Sequence, residues 1–282
     1  MGFLLASLSV NKFSLFLFLF GYAIMLPAHL GLSYSNNYFD IKGDKFNEPN
    51  LFSGGSKVLI NNPDLKKICL GIAIFLMIIS IVIAFVFIIL YSFSYYFLVF
   101  VIFGNLLGFF YSAPPLRLAY RGLGEISNMI TMGIIMPGIG YWIVKGGFDL
   151  LFFIFASVFL LYGLHFIVSV ELPDMEGDLK ANKFTLVAKI GRKKSYRLLL
   201  LSIISASILL ILFSALNIIS NSVNLLIIFF LSFIPLVSGL SVLLNKSITK
   251  KNSLKISRNN LFALVGFILA INIFLIFSLI FS

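Results

Sequence analysis

Eight long apolar runs fix what this chain can fold into. They fall near 13 to 35, 68 to 90, 93 to 112, 126 to 145, 149 to 170, 197 to 219, 222 to 244 and 260 to 281. Each is long enough to cross about 30 Å of hydrocarbon as a helix. Hydrophobic residues make up 60% of the 282 and charged residues 11%, a balance that would leave a soluble fold of this size with a large exposed apolar surface. No run alternates with the period of a strand, and backbone inside a bilayer must satisfy its own hydrogen bonds. The expected fold class is all-α, a polytopic transmembrane helical bundle forming a single domain over residues 1–282. Met1 to Val10 lacks the basic region and small-residue cleavage site of a signal peptide, so no processed segment is expected there.

The net charge of +11 raises nucleic acid as a partner, but the basic residues sit in loops between apolar runs, which excludes it. The links after spans one, three, five and seven carry nineteen of the 21 lysines and arginines, from Lys42 and Lys57 through Arg117, Lys183 and Lys189 to Lys246 and Lys255. Those links are expected on the cytoplasmic side, with the N-terminus outside. The single Cys69 lies in an apolar run and reads as a buried thiol.

Metal-capable side chains appear where the first run ends, at Asn36, Asp40 and Asp44. In a helix, intervals of four place them on one face roughly 6 Å apart. The idea recurs at Glu171-Leu172-Pro173-Asp174-Met175-Glu176-Gly177-Asp178, again with aspartates four apart at the foot of an apolar run. Magnesium is held by one or two carboxylates plus phosphate oxygens, so two such clusters facing one another suit a diphosphate bridged by Mg2+. Asp174 and Asp178 are the expected ligands, Glu171 is a weaker candidate, and Glu176 is expected to be solvated.

Three further pieces complete the candidate site. The stretch from Tyr111 through Pro114, Pro115, Arg117 and Arg121 to Glu125 is too rich in Pro and Gly for a regular helix, and it would present Arg117 and Arg121 to a phosphate. Ser53-Gly54-Gly55-Ser56-Lys57 offers backbone N–H groups and a lysine, a small anion nest. His165, in the fifth span, reads as structural, and Trp142 as interface or core packing.

With Asn36-xxx-Asp40-xxx-Asp44, Tyr111-Ser-x-Pro-Pro-x-Arg117, Asp174-xxx-Asp178, Thr185-Leu186 and Gly191-Arg192 in this order, the chain resembles the UbiA-type intramembrane aromatic prenyltransferases over about residues 20 to 200. The resemblance implies an all-helical bundle around a central cavity. It implies Asn36, Asp40, Asp44, Asp174 and Asp178 holding a polyprenyl diphosphate through magnesium, with Lys42, Arg117 and Lys180 as charge partners and Tyr111 beside the reacting allylic carbon. Leu172 to Lys180, Arg121 to Glu125 and Phe52 to Ser56 look like members that prenylate 1,4-dihydroxy-2-naphthoate in menaquinone formation. Asp40-xxx-Asp44 followed by Asn47 and Pro49 is closer to the 4-hydroxybenzoate and geranylgeranylglyceryl phosphate branches. The family usually has nine helices, so one is expected to be missing before residue 13, and Asn37 stands where many relatives carry an acidic residue. Two other classes remain at this point, a catalytically silent relative and a cation-coupled transporter, the latter expected to carry its carboxylates near mid-membrane.

Overall fold

The computed structural model describes residues 1–50, 52, 54–216, 223–244 and 248–281. Among them every regular element is helical, and eight helices are long and apolar enough to span a membrane. In chain order the principal elements are α1 (Gly2–Ser9), α2 (Leu15–Phe39), α3 (Lys66–Tyr91), α4 (Tyr95–Ser112), α5 (Gly124–Ile130), α6 (Met136–Lys145), α7 (Leu150–Glu171), α8 (Met175–Lys180), α9 (Leu186–Ala215), α10 (Leu225–Leu231), α11 (Phe233–Leu244) and α12 (Lys250–Ile280). A π-helical turn, Thr131–Ile135, joins α5 to α6. Pro137 follows it and has no N–H to offer the carbonyl four residues back, a common cause of such a break.

Local chemistry sets where the spans begin. Ser14, Ser94, Asp149, Thr185, Asn224 and Thr249 each accept a backbone N–H of the following first turn, satisfying donors that have no partner within the helix. The sequence places the sixth span at 197 to 219, but its helix starts eleven residues earlier, at the Thr185 cap. The seventh is interrupted at Ser232, between α10 and α11. Before residue 13, where the sequence suggests no span, α1 is a short buried helix packed against α6 and α12.

The most enclosed span is α7, which contacts α5, the π turn, α9 and α12. Most of its residues are buried, among them Phe152, Phe155, Val158 and Ile167. Hydrophobic burial gives little drive between helices already in lipid, so small residues that admit close backbone contact matter there. At Gly133 an added Cβ would lie 2.7 Å from the Leu160 backbone nitrogen, and at Gly163 it would lie 3.0 Å from Met129 Cα. These two glycines let α7 pack closely against the α5 segment. Outward-facing side chains such as Leu15, Phe75, Leu90, Leu243 and Ile280 remain exposed, the apolar coat expected of an integral membrane protein.

The four long, basic links meet at one end of the bundle. Glu48 pairs with Lys250 at 3.4 Å, Lys189 Nζ donates to the Arg121 carbonyl at 2.9 Å, and Lys183 reaches Asp40. Lys246, counted among the basic residues of these links, and Ser53 of the glycine-rich turn lie outside the described residues.

Candidate active site

The two aspartate pairs are built on the same local plan. At Phe39 α2 stops, Asp40 takes a non-helical conformation (φ −92°, ψ 4°), and the chain resumes in a single turn, Ile41–Asp44. Asp174 sits likewise just before α8 (φ −91°, ψ −3°). The Asp44 N–H donates to the Asp40 carbonyl and the Asp178 N–H to the Asp174 carbonyl, each at 2.9 Å. One continuous helical face through Asn36, Asp40 and Asp44 is thus not what forms. The helix breaks at Asp40, and the four-residue spacing survives because one short turn follows.

Both plans face one cavity of about 380 Å³. Asn36, Asp40, Asp44, Tyr111, Glu171, Asp174, Asp178 and Lys183 all contribute to its wall. Asp40 is almost fully buried and accepts three hydrogen bonds: from Ser112 Oγ and Tyr120 Oη, each at 2.9 Å, and from Lys183 Nζ at 3.4 Å. Asp178 accepts from Asn47 Nδ2 at 3.3 Å and Thr185 Oγ1 at 3.4 Å. Asp174 accepts the Gly54 N–H at 3.1 Å. Gly54 and Gly55 are both left-handed, at φ 84° and 68°, so the described part of the glycine-rich turn does form a nest, and its Gly54 amide holds one of the chain's own carboxylates.

Five carboxylates line this cavity against one lysine among the described residues. Burial, and then the neighbouring Asp40 charge, push Asp44 up to about 6, with Lys183 and Lys57 partly opposing the rise. Burial also raises Asp178, with Lys183 and the Asn47 hydrogen bond opposing. Burial disfavours the charge on Lys183, but Asp40 and Asp178 outweigh it and hold the ammonium well above its ordinary range.

Other residues singled out in the sequence lie elsewhere. Lys42 and Lys180 are exposed and do not line the cavity. Lys57 Nζ binds the carbonyls of Asp44 and Asn47, bracing the first motif from behind. The Arg117 guanidinium lies over the Tyr120 ring, 4.1 Å from its centroid, and Arg121 donates to the Pro115 carbonyl at 2.9 Å. Glu176, expected to be solvated, is instead in a two-pronged ion pair with the buried Arg192. His165 bonds the Leu199 carbonyl through Nδ1 at 3.1 Å, Trp142 packs among Phe97, Phe100 and Phe148, and Cys69 is a buried thiol.

Reading by motif missed Lys183, Tyr120, Asn47 and Ser112. For Lys183 a signal existed: it stands five residues after Asp178 and two before the Thr185 helix cap, and its own N–H donates to the Asp178 carbonyl at 2.8 Å.

Fold and cavity together define an integral membrane protein whose bundle opens at one end into a carboxylate-lined chamber floored by apolar helix. The chain belongs to the UbiA prenyltransferase family, whose description matches residues 1–264. A 2-carboxy-1,4-naphthoquinone phytyltransferase of Synechocystis sp. is 30% identical over 105 residues, 35% of this chain and 32% of that protein; the chain thus spans about a third of that curated relative. Solved structures share the fold nearly end to end. The UbiA homologue of Aeropyrum pernix K1 superposes with a TM-score of 0.70 at 15% identity, covering 96% of this chain and 95% of that one. A digeranylgeranylglyceryl phosphate synthase gives 0.65 at 19%, covering 99% and 91%. The UbiA homologue of Archaeoglobus fulgidus, bound to DMAPP and Mg2+, gives 0.56 at 16%, covering 94% and 93%.

Proposed function

We propose that residues 1–282 form one catalytic domain that transfers a polyprenyl group from its diphosphate to a lipophilic aromatic acceptor in quinone formation, with the aspartate-rich end facing the cytoplasm. The observation that carries the reading is the convergence of both aspartate pairs and Lys183 on one chamber. The Synechocystis relative, named for a naphthoquinone phytyltransferase, supports a ring acceptor, and the basic links gathered at this end support the orientation.

The chamber suits magnesium. Its donors are hard oxygens, the buried Oδ1 of Asn36 has no hydrogen-bond partner among the described residues, and the carboxylates outnumber the ammonium. Asn36, Asp40, Asp44, Asp174 and Asp178 would hold it, and when bound it would neutralise the diphosphate and ease its departure.

The chain's own groups do the rest. Lys183 places a fixed cation where charge develops on the leaving diphosphate. Tyr111, on the chamber wall and packed against Gly124, offers a ring face to the allylic carbon as it becomes cationic. Leu32, Ile167 and Val170 line the apolar side of the chamber and would keep water from quenching the cation. The acceptor ring carbon then bonds the allylic carbon, the carbon–oxygen bond to diphosphate breaks with its electron pair on oxygen, and the ring loses a proton or, from a hydroxynaphthoate, carbon dioxide.

The test is mass-spectrometric product detection with detergent-purified chain, magnesium and geranylgeranyl diphosphate, offering dihydroxynaphthoate, 4-hydroxybenzoate and geranylgeranylglyceryl phosphate in turn. A prenylated naphthoate that disappears with EDTA is expected. A product only from the glyceryl phosphate would replace the aromatic acceptor by an ether-forming one, and no product from any acceptor would overturn the reading.

A further inference from the structure

The two oxygens of Asp40 are not held alike. Its Oδ2 accepts from Ser112 Oγ at 2.9 Å and from Lys183 Nζ at 3.4 Å. Its Oδ1 accepts at 2.9 Å from Tyr120 Oη alone among the described residues. A carboxylate offers about four lone-pair positions, shared between its two oxygens. Those on Oδ2 are taken, and one on Oδ1 is left for a further partner. Asp40 stands at the break after α2 (φ −92°, ψ 4°), so its side-chain contacts, and not a continuous helical face, set the plane of the carboxylate.

Tyr120 is not among the residues of the chamber wall. It reaches Asp40 from the single turn Leu118–Arg121, which follows the left-handed Arg117 (φ 45°) and precedes the left-handed Gly122 (φ 74°). That turn is anchored. The Arg117 guanidinium lies over the Tyr120 ring, 4.1 Å from its centroid, and Lys183 Nζ lies at 5.8 Å, both attracted by the aromatic face. The Tyr120 carbonyl accepts the Phe184 N–H at 3.4 Å, and the Arg121 carbonyl accepts from Lys189 Nζ at 2.9 Å. These bonds fasten the turn to the segment that carries Lys183 and to the start of α9, and a neutral phenol held there can only donate to the carboxylate.

We infer that Tyr120 is a positioning residue for the metal: its hydroxyl holds Asp40 Oδ1 so that the remaining Oδ1 lone pair serves magnesium, while Arg117 steadies the Tyr120 ring. The inference rests on the prenyltransferase reading and assigns to that reaction two residues that touch neither donor nor acceptor. Arg117, whose type suits a phosphate, acts on the diphosphate only through Tyr120, Asp40 and the metal. A carboxylate free to turn about its Cβ–Cγ bond must be ordered when metal binds, and Tyr120 does that ordering in advance.

The test compares wild type, Tyr120→Phe and Arg117→Met as full chains in detergent. Manganese(II), which accepts the same hard oxygen ligands as magnesium, is the metal probe. Its binding in the presence of geranylgeranyl diphosphate is read from the electron paramagnetic resonance of the free ion. Binding of radiolabelled donor in EDTA, kcat and KM over a magnesium titration, and thermal unfolding are measured alongside. Tyr120→Phe keeps the ring and its stacked guanidinium and loses only the hydroxyl. It is expected to weaken manganese binding by about tenfold, with metal-free donor binding within about twofold and kcat at saturating magnesium within about threefold of wild type.

Unchanged manganese affinity in Tyr120→Phe overturns the inference. So does a loss of kcat that saturating magnesium does not restore, since a positioning role for the metal is recovered by mass action and a structural or chemical one is not. Wild-type chain that forms product yet binds no manganese overturns the inference and leaves the transferase reading standing. If wild type forms no product while manganese still binds more weakly to Tyr120→Phe, the enzyme reading fails and the positioning role stands. Should Tyr120→Phe not fold, Arg117→Met is expected to weaken manganese binding by about threefold through the loosened ring, and unchanged affinity there overturns the inference.

Discussion

Lys183 Nζ lies 3.4 Å from Asp40 Oδ2, joining the two aspartate motifs across 143 residues of sequence. The ammonium follows the second motif and the carboxylate opens the first, so the contact closes the chamber between α2 and the α8 to α9 connection. Lys183→Met removes the one lysine on the chamber wall among the described residues. Turnover should fall by about a hundredfold, the size of effect seen when one fixed charge or donor at a developing anion is lost. The drop belongs mainly in kcat if Lys183 acts on the departing diphosphate, and steady-state kinetics over a donor titration would separate it from a KM effect. A near-normal kcat would remove Lys183 from the chemistry.

Asp40→Asn and Asp174→Asn remove one carboxylate charge from each motif with little change of shape. Both should abolish detectable product. Calorimetric titration of donor should then show the same weak binding with and without magnesium, whereas wild type binds donor more tightly when magnesium is present. Near-normal activity in both variants would sink the metal assignment.

How far the sequence could be read depended on what each feature needs. Spans were legible because crossing a bilayer demands length and apolarity, which leave a one-dimensional signal. The aspartate pairs were legible because a single helical turn suffices to set them, even though α2 ends at Phe39 and its face does not continue to Asp44. Lys183, Tyr120 and Asn47 were not legible as site residues, because each reaches an aspartate through a contact between segments far apart in sequence. Arg117 and Arg121 misled for the converse reason. Their type and loop suited a phosphate, but the local turn directs them to the Tyr120 ring and the Pro115 carbonyl. Glu176 was read as solvated because its partner Arg192 lies sixteen residues on, beyond a loop and a helix start.

Gly55 is fixed in place by two independent constraints. Its φ of +68° disfavours an L side chain, and a Cβ there would come within 2.1 Å of the Asp44 carboxylate. Gly55→Ala should therefore displace Asp44 or the turn that covers it, lowering magnesium affinity in a donor-binding assay by about tenfold or more, with the strain alone costing of order 1 kcal/mol. Unchanged magnesium dependence would show that Asp44 is not held by this contact.

Asp44 predicts a pH signature. Its carboxyl is pushed up to about 6 in the fold, above the ordinary aspartate value of 3.8, so between those values the native chain binds a proton that the unfolded chain does not. Stability without metal should accordingly rise as pH falls through about 6. Binding of magnesium, which needs the carboxylate, should weaken over the same interval. Asp44→Asn should flatten both trends, and the difference between wild type and variant, followed by thermal unfolding and by donor binding at about pH 5 and about pH 7, isolates this group. Parallel pH curves for the two proteins would assign the titration to other residues.

Arg192 supports the second motif from outside the chamber. Its side chain is 6% exposed, its Nε donates to the Leu172 carbonyl at 3.2 Å, and its two terminal nitrogens grip Glu176, which is 46% exposed. Because Gly191 is left-handed at φ 75° within α9, the chain turns there and sends the guanidinium back beneath α8. Arg192→Ala would leave the Leu172 carbonyl unpaired in a buried position and cut a partner from the helix that carries Asp178. The expected cost is about 2 kcal/mol, dominated by the buried carbonyl, since the half-exposed Glu176 can turn to water. Glu176→Gln should cost much less, since Arg192 keeps its bond to Leu172. Equal destabilisation of the two variants in thermal unfolding would place the energy in the ion pair and not in the carbonyl contact.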